Sequence, residues 1–174
     1  MSGGRMRGEA ASAAGAASTG VAPGRLPRRL LATDGDRTTL VLRLVLALVM
    51  FPHGAQKLLG WYGGYGFSGT MGFLTNQAGL PWIVALLVIL IEFGGPLMLA
   101  FGLGVRVAAT GYVAVMLGAI VTVHGRHGFF MNWYGAQAGE GFEYHLLMIG
   151  AALPLLLKGG GAWSLDGKLA ARGA

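Results

Sequence analysis

Four apolar stretches separated by Gly-rich or basic segments set the pattern of this chain. The clearest runs over residues 80–103, with Glu92 near its middle as the single charged residue. A run of about 20 apolar residues is long enough to cross a bilayer as a helix. The same pattern predicts helices over 38–59, 81–103, 107–124 and 142–158. The fourth is the shortest. Its uncharged part, 146–157, covers only about 18 Å against a hydrocarbon core of about 30 Å, so spanning brings Glu143 and His145 into the membrane boundary. The expected fold is an all-α membrane protein, a bundle of four transmembrane helices.

Composition supports that class, with 54% hydrophobic and 11% charged residues, far from the usual quarter charged of soluble domains. At 174 residues there is room for one membrane domain and no separate soluble catalytic domain of ordinary size. No cysteine is present, which excludes disulfides, thiol nucleophiles and cysteine-ligated iron–sulfur clusters. The net charge of +6 reads as membrane orientation and not as nucleic-acid binding. Of the 13 Lys and Arg, all but Arg43, Lys57 and Arg126 lie in the N-terminal arm, at the first-helix start, in the 104–106 turn or after 157. By the positive-inside rule both termini are cytoplasmic. Trp61, Trp82 and Trp163 fall at expected helix ends, where indole rings favour the interface.

The expected organisation is a disordered, basic cytoplasmic arm over 1–36, a membrane domain over 37–160 and a short cytoplasmic tail over 161–174. The arm is too long for a signal-peptide n-region and is followed by more than one span. The loops over 60–80 and 125–141 are rich in Gly and aromatic residues and are expected to fold back onto the membrane surface.

Chemistry concentrates in a few intramembrane side chains. A carboxyl at the depth of Glu92 costs at least about 2.5 kcal/mol unless it is paired, protonated or facing a polar cavity. Proton handling is therefore its candidate role. Arg43, inside the first span, is expected to approach Glu92 and form a structural ion pair. His53 and Lys57 share a helix face one turn apart, beside Gln56 and a kink at Pro52. With His124, Glu143 and His145 they gather in the outer half of the bundle as candidate ligand-binding residues. No helix carries the Glu-x-x-His pairs of a di-iron bundle, so no metal site is expected. The Gly-rich spans suit packing within one bundle or between protomers of a homo-oligomer.

Arg43, the stretch Phe51-Pro52-His53-Gly54-Ala55-Gln56-Lys57-Leu58-Leu59-Gly60, Glu92 followed by Gly94 and Gly95, and Glu143 opening the fourth span together resemble the DoxX family of small four-helix bacterial membrane proteins. The resemblance covers about residues 38–160. It implies a multi-pass protein of the bacterial inner (plasma) membrane, in contact with the lipid bilayer and with a protein partner in a quinone-linked redox complex. It supplies no agreed catalytic set, so Arg43, His53, Lys57, Glu92 and Glu143 carry over as pattern positions. No haem, flavin or iron–sulfur motif is visible, so the electron donor would be a partner, with quinone as the small molecule. Three functions fit this pattern: a subunit of a quinone-linked oxidoreductase, a non-catalytic membrane scaffold, and a small-molecule carrier gated by protonation of Glu92.

Overall fold

A computed structural model describes residues 30–172, so the first 29 residues of the expected arm lie outside it. The described residues are helical, with no strand among them. Helix α1 is Arg37–Leu59, α2 Gly66–Gly72, α3 Trp82–Phe101, α4 Val105–Ala119, α5 Glu143–Lys158 and α6 Leu165–Arg172. Helix α4 runs on through a π turn, Ile120–His124, and a 3-10 turn, Gly125–His127. The long helices start and stop within about two residues of expectation, apart from this extension.

Three helical spans are long and apolar enough to cross a membrane: Arg37–Leu59, Trp82–Phe101 and Val105–His127. The chain is a multi-pass membrane protein. At 16 residues, α5 is shorter than these three, yet it completes the bundle: α1 packs on α3, α3 on α4, α4 on α5, and α5 back on α1. The core holds Leu46 and Met50 of α1, Leu99 of α3, Tyr112 and Met116 of α4, and Met148 and Leu155 of α5. Leu48, Val121, Leu147 and Leu157 point outward and are well exposed, as side chains facing lipid must be.

The register of α1 against α3 follows from one close approach. A Cβ on Gly54 would overlap the backbone carbonyl of Glu92, and the Arg43 guanidinium occupies the space a Cβ on Gly102 would need. The two helices are therefore antiparallel, with 54 level with 92 and 43 level with 102. Small residues at such crossings let backbones approach.

The 60–80 connection is not simply a loop. It holds α2 and a π turn, Phe73–Gln77, because Met71 and Leu74 bury against Ala85 and Ile89 of α3. The tail is likewise structured. Asp166 of α6 accepts hydrogen bonds from the backbone N–H groups of Gly104 (2.7 Å) and Val105 (2.9 Å), capping the N-terminus of α4 from a distant part of the chain. Arg106 donates to the Leu156 and Leu157 carbonyls at the end of α5 and to Ala32. Asp36 caps α1 through Thr38 N–H (2.8 Å) and pairs with Lys158 (2.9 Å). The Lys158 hydrogen bond, followed by the Thr38 N–H, holds the Asp36 carboxyl down to about 2.

Candidate functional site

Glu92 is buried, its side chain 6% exposed, and its Oε2 lies 2.5 Å from Lys57 Nζ. Lys57 is one turn beyond Gly54, so its chain folds back to the level at which α3 presents Glu92. Pairing offsets the cost of placing a carboxylate at this depth.

The expected Arg43–Glu92 pair does not form. Glu92 is level with Gly54, eleven residues beyond Arg43, which separates the two by about 16 Å along α1. Arg43 is 2% exposed and sits at the other end of the bundle beside Asp166, with Nη2 3.5 Å from the Ala162 carbonyl. Its Nε and Nη1 have no hydrogen-bond partner among the described residues. Arg43 therefore joins α1 to the docked C-terminal segment, a structural role with a different partner.

Beside the Lys57–Glu92 pair is a cavity of about 600 Å³. Helices α3 and α4 touch where Gly95 meets Tyr112 and Ile91 meets Gly111. Beyond that contact, toward the end with the long loops, both helices line the cavity. Val84, Leu87 and Val88 contribute from α3, and Val115, Gly118 and Thr122 from the α4 span. Val84, Leu87, Gly118 and Thr122 are exposed, so the mouth opens sideways, where lipid would lie.

Polar side chains line the remaining wall. His53, Lys57, Glu92, His124, Tyr144 and His145 all border the cavity. The His53 and Tyr144 rings are 5.9 Å apart, Tyr144 and His145 5.9 Å, and His145 and His124 4.2 Å. His124 Nδ1 lies 2.9 Å from the Glu140 carbonyl. A carbonyl only accepts, so Nδ1 carries the proton and Nε2 of the neutral ring is an acceptor. His145 is buried, and its Nδ1 has no partner among the described residues. The strip thus offers an ammonium, a carboxyl, three imidazoles and a phenol along one side of an otherwise aliphatic space. Such a wall can orient an apolar molecule by its oxygen atoms and exchange protons with it.

Glu143 is placed differently from expectation. Its Oε1 accepts from Met131 N–H (3.0 Å) and Trp133 Nε1–H (3.1 Å), which ties down the 125–141 loop, and it does not border the cavity. Glu140 does the neighbouring work, accepting from Asn132 N–H at 2.7 Å. Tyr144 was not singled out from the sequence, although its position next to His145 and one turn from Gly141 puts it near the helix start. Tyr112, with no polar neighbour in sequence to mark it, is fully buried against Gly95, and its hydroxyl lacks a partner among the described residues. Among the described residues no three His, Asp or Glu side chains cluster as metal ligands.

The family model for DoxX matches residues 38–125, which include His53, Lys57, Glu92 and His124. A Bacillus subtilis (strain 168) protein named "Putative oxidoreductase CatD" is 30% identical over 128 residues, covering 74% of this chain and 84% of that protein. No solved structure matches the chain. With a family model spanning half the chain and a relative matched over most of its length, the chain belongs to the DoxX family.

Proposed function

We propose that this chain is an integral membrane subunit of a quinone-linked oxidoreductase system, and that the cavity beside Lys57 and Glu92 receives the quinone. The observation that carries this reading is a buried acid–base pair on the wall of a sideways-opening, mainly aliphatic cavity. A volume of about 600 Å³ falls in the range of small-molecule sites, about 300–1,000 Å³. The oxidoreductase name of the Bacillus relative supports the redox assignment. The orientation that goes with it is four crossings of a bacterial inner (plasma) membrane, with α5 as the fourth and both termini cytoplasmic.

Reducing a quinone to a quinol takes two electrons and two protons. The electrons come from a redox centre on a partner protein; this chain supplies binding, orientation and protons. His53 and His145 hydrogen-bond the ring oxygens; Glu92 takes up a proton from water and passes it to one of them, returning to the carboxylate that the Lys57 ammonium holds, and the second proton reaches the other oxygen from water through the imidazoles. Arg43 and Glu143 stand outside this chemistry and hold the tail and the 125–141 loop.

The test is quinone-dependent turnover in membranes that contain the chain and its electron donor, comparing wild type with Glu92→Gln. Turnover per folded molecule is expected to fall by about 100-fold, the usual worth of a positioned acid. Unchanged turnover removes Glu92 from the mechanism.

A scaffold function is the second reading, favoured by the way the pair joins α1 to α3 with both charges engaged. It requires Glu92→Gln to act on assembly alone, leaving turnover of assembled complexes intact.

A further inference from the structure

A second chamber, about 770 Å³, lies between the end of α1 and the α2 segment. Lys57, Phe73 and Leu74 border both spaces. The Lys57–Glu92 pair therefore stands where an apolar cavity open to lipid meets a chamber of different chemistry. The second chamber is walled by the backbone of Gly63, Gly64 and Gly69 and by the side chains of Gln56, Thr70, Asn76 and Gln77.

Among the described residues Lys57 is the one cation of that wall, and Glu92 already neutralises it. Gln56 Nε2 donates to the Tyr62 carbonyl at 3.3 Å, leaving its Oε1 as an acceptor. The Asn76 and Gln77 amides make no side-chain hydrogen bond among the described residues and are exposed. Amides donate and accept alike. An anionic head would find the Lys57 ammonium already engaged by Glu92 from the cavity side, and a cationic head would be repelled by that ammonium. A neutral head with several hydrogen-bonding oxygens suits this wall best.

We infer that the head of the quinone reaches into both spaces: its ring lies on the His53–Lys57–Glu92 wall, its neutral polar substituents extend past the Lys57–Glu92 pair to the Gln56, Asn76 and Gln77 amides, and its apolar tail fills the cavity between α3 and α4. This rests on the reading of the apolar cavity as the quinone site and adds a second subsite, for the neutral polar substituents of the head.

Two glycines allow each space to be filled separately. A Cβ on Gly72, which borders the chamber, finds only Asn76 Nδ2, at 4.0 Å, and one on Gly118, which borders the cavity, meets nothing within 4 Å. The experiment measures equilibrium binding to the full chain in nanodiscs of zwitterionic lipid. The probes are a decyl-substituted dimethoxybenzoquinone and decyl phosphate, which pair one tail with a neutral or a charged head.

The quinone is expected to bind at least about tenfold more tightly than the phosphate. Gly72→Leu, and independently Asn76→Ala/Gln77→Ala, should each weaken quinone binding about tenfold, the worth of one or two hydrogen bonds, and leave the phosphate unchanged. Gly118→Leu should abolish binding of both. If Gly118→Leu abolishes binding while the chamber variants leave the quinone unaffected, the head subsite is wrong and the apolar site stands. If the phosphate binds as tightly as the quinone, the neutral-head assignment is overturned. Binding that survives Gly118→Leu overturns the cavity reading itself, and this inference with it.

Discussion

Removing one charge of the Lys57–Glu92 pair and removing both have different consequences. Lys57→Met leaves a buried carboxylate without its partner, and such losses cost about 3 kcal/mol in comparable settings. Replacing both, as Lys57→Met/Glu92→Leu, leaves no charge to solvate and is expected to recover most of that stability. Thermal denaturation in detergent reads the difference, and a double variant as unstable as the single one contradicts the pairing. The need for a partner was legible from the sequence, because a lone carboxyl in an apolar run demands one. Its identity was not. Depth along a helix can be counted, but the register of α1 against α3 is fixed by the close approach at Gly54, and that contact decides between Arg43 and Lys57. Glu143 was misplaced for a related reason: a carboxylate in the first turn of a helix also suits the N–H groups of a preceding loop, and Met131 and Trp133 supply them.

Among the elements, the long helices were readable from their hydrophobic runs and the short ones were not. Helix α2 is Gly-rich and short, with little intrinsic propensity; it exists because Met71 and Leu74 have a place to bury on α3. Helix α6 gives no long apolar run, and Asp166 caps α4 across some sixty residues, so no local capping pattern marks it. The same tail receives the buried Arg43, which donates to the Ala162 carbonyl. Asp166→Ala uncaps α4, leaving the Gly104 and Val105 N–H groups without their acceptor, and the expected destabilisation is about 1–2 kcal/mol. Limited proteolysis should then cleave within Leu165–Arg172 while wild type resists. A tail that stays protected and a melting temperature that does not move would show that this contact is dispensable.

For the whole molecule, orientation and occupancy are the two matters to settle. The chain has no cysteine, so single introduced cysteines report sidedness without interference. In intact cells an impermeant thiol reagent is expected to label Ser68→Cys and not Lys168→Cys, with the second labelled only after permeabilisation. Labelling of both from outside would place the two exposed positions on one side and remove the positive-inside orientation. The four helices form one closed ring around a splay between α3 and α4, so the shape that follows from packing also creates the cavity. Hydrophobic periodicity located the helices on either side of it. It could not locate the cavity, because a gap between helices arises from where they stop touching, here beyond Gly95–Tyr112 and Ile91–Gly111. The most direct test of the central claim is photo-crosslinking of the reconstituted chain with an azido-substituted quinone, mapped by mass spectrometry. Adducts are expected on cavity-wall residues such as Val84, Leu87, Val115 and Thr122, lost in Gly118→Leu. Adducts confined to outward-facing positions such as Leu48, Val121 and Leu147, and equally abundant in that variant, would contradict that claim.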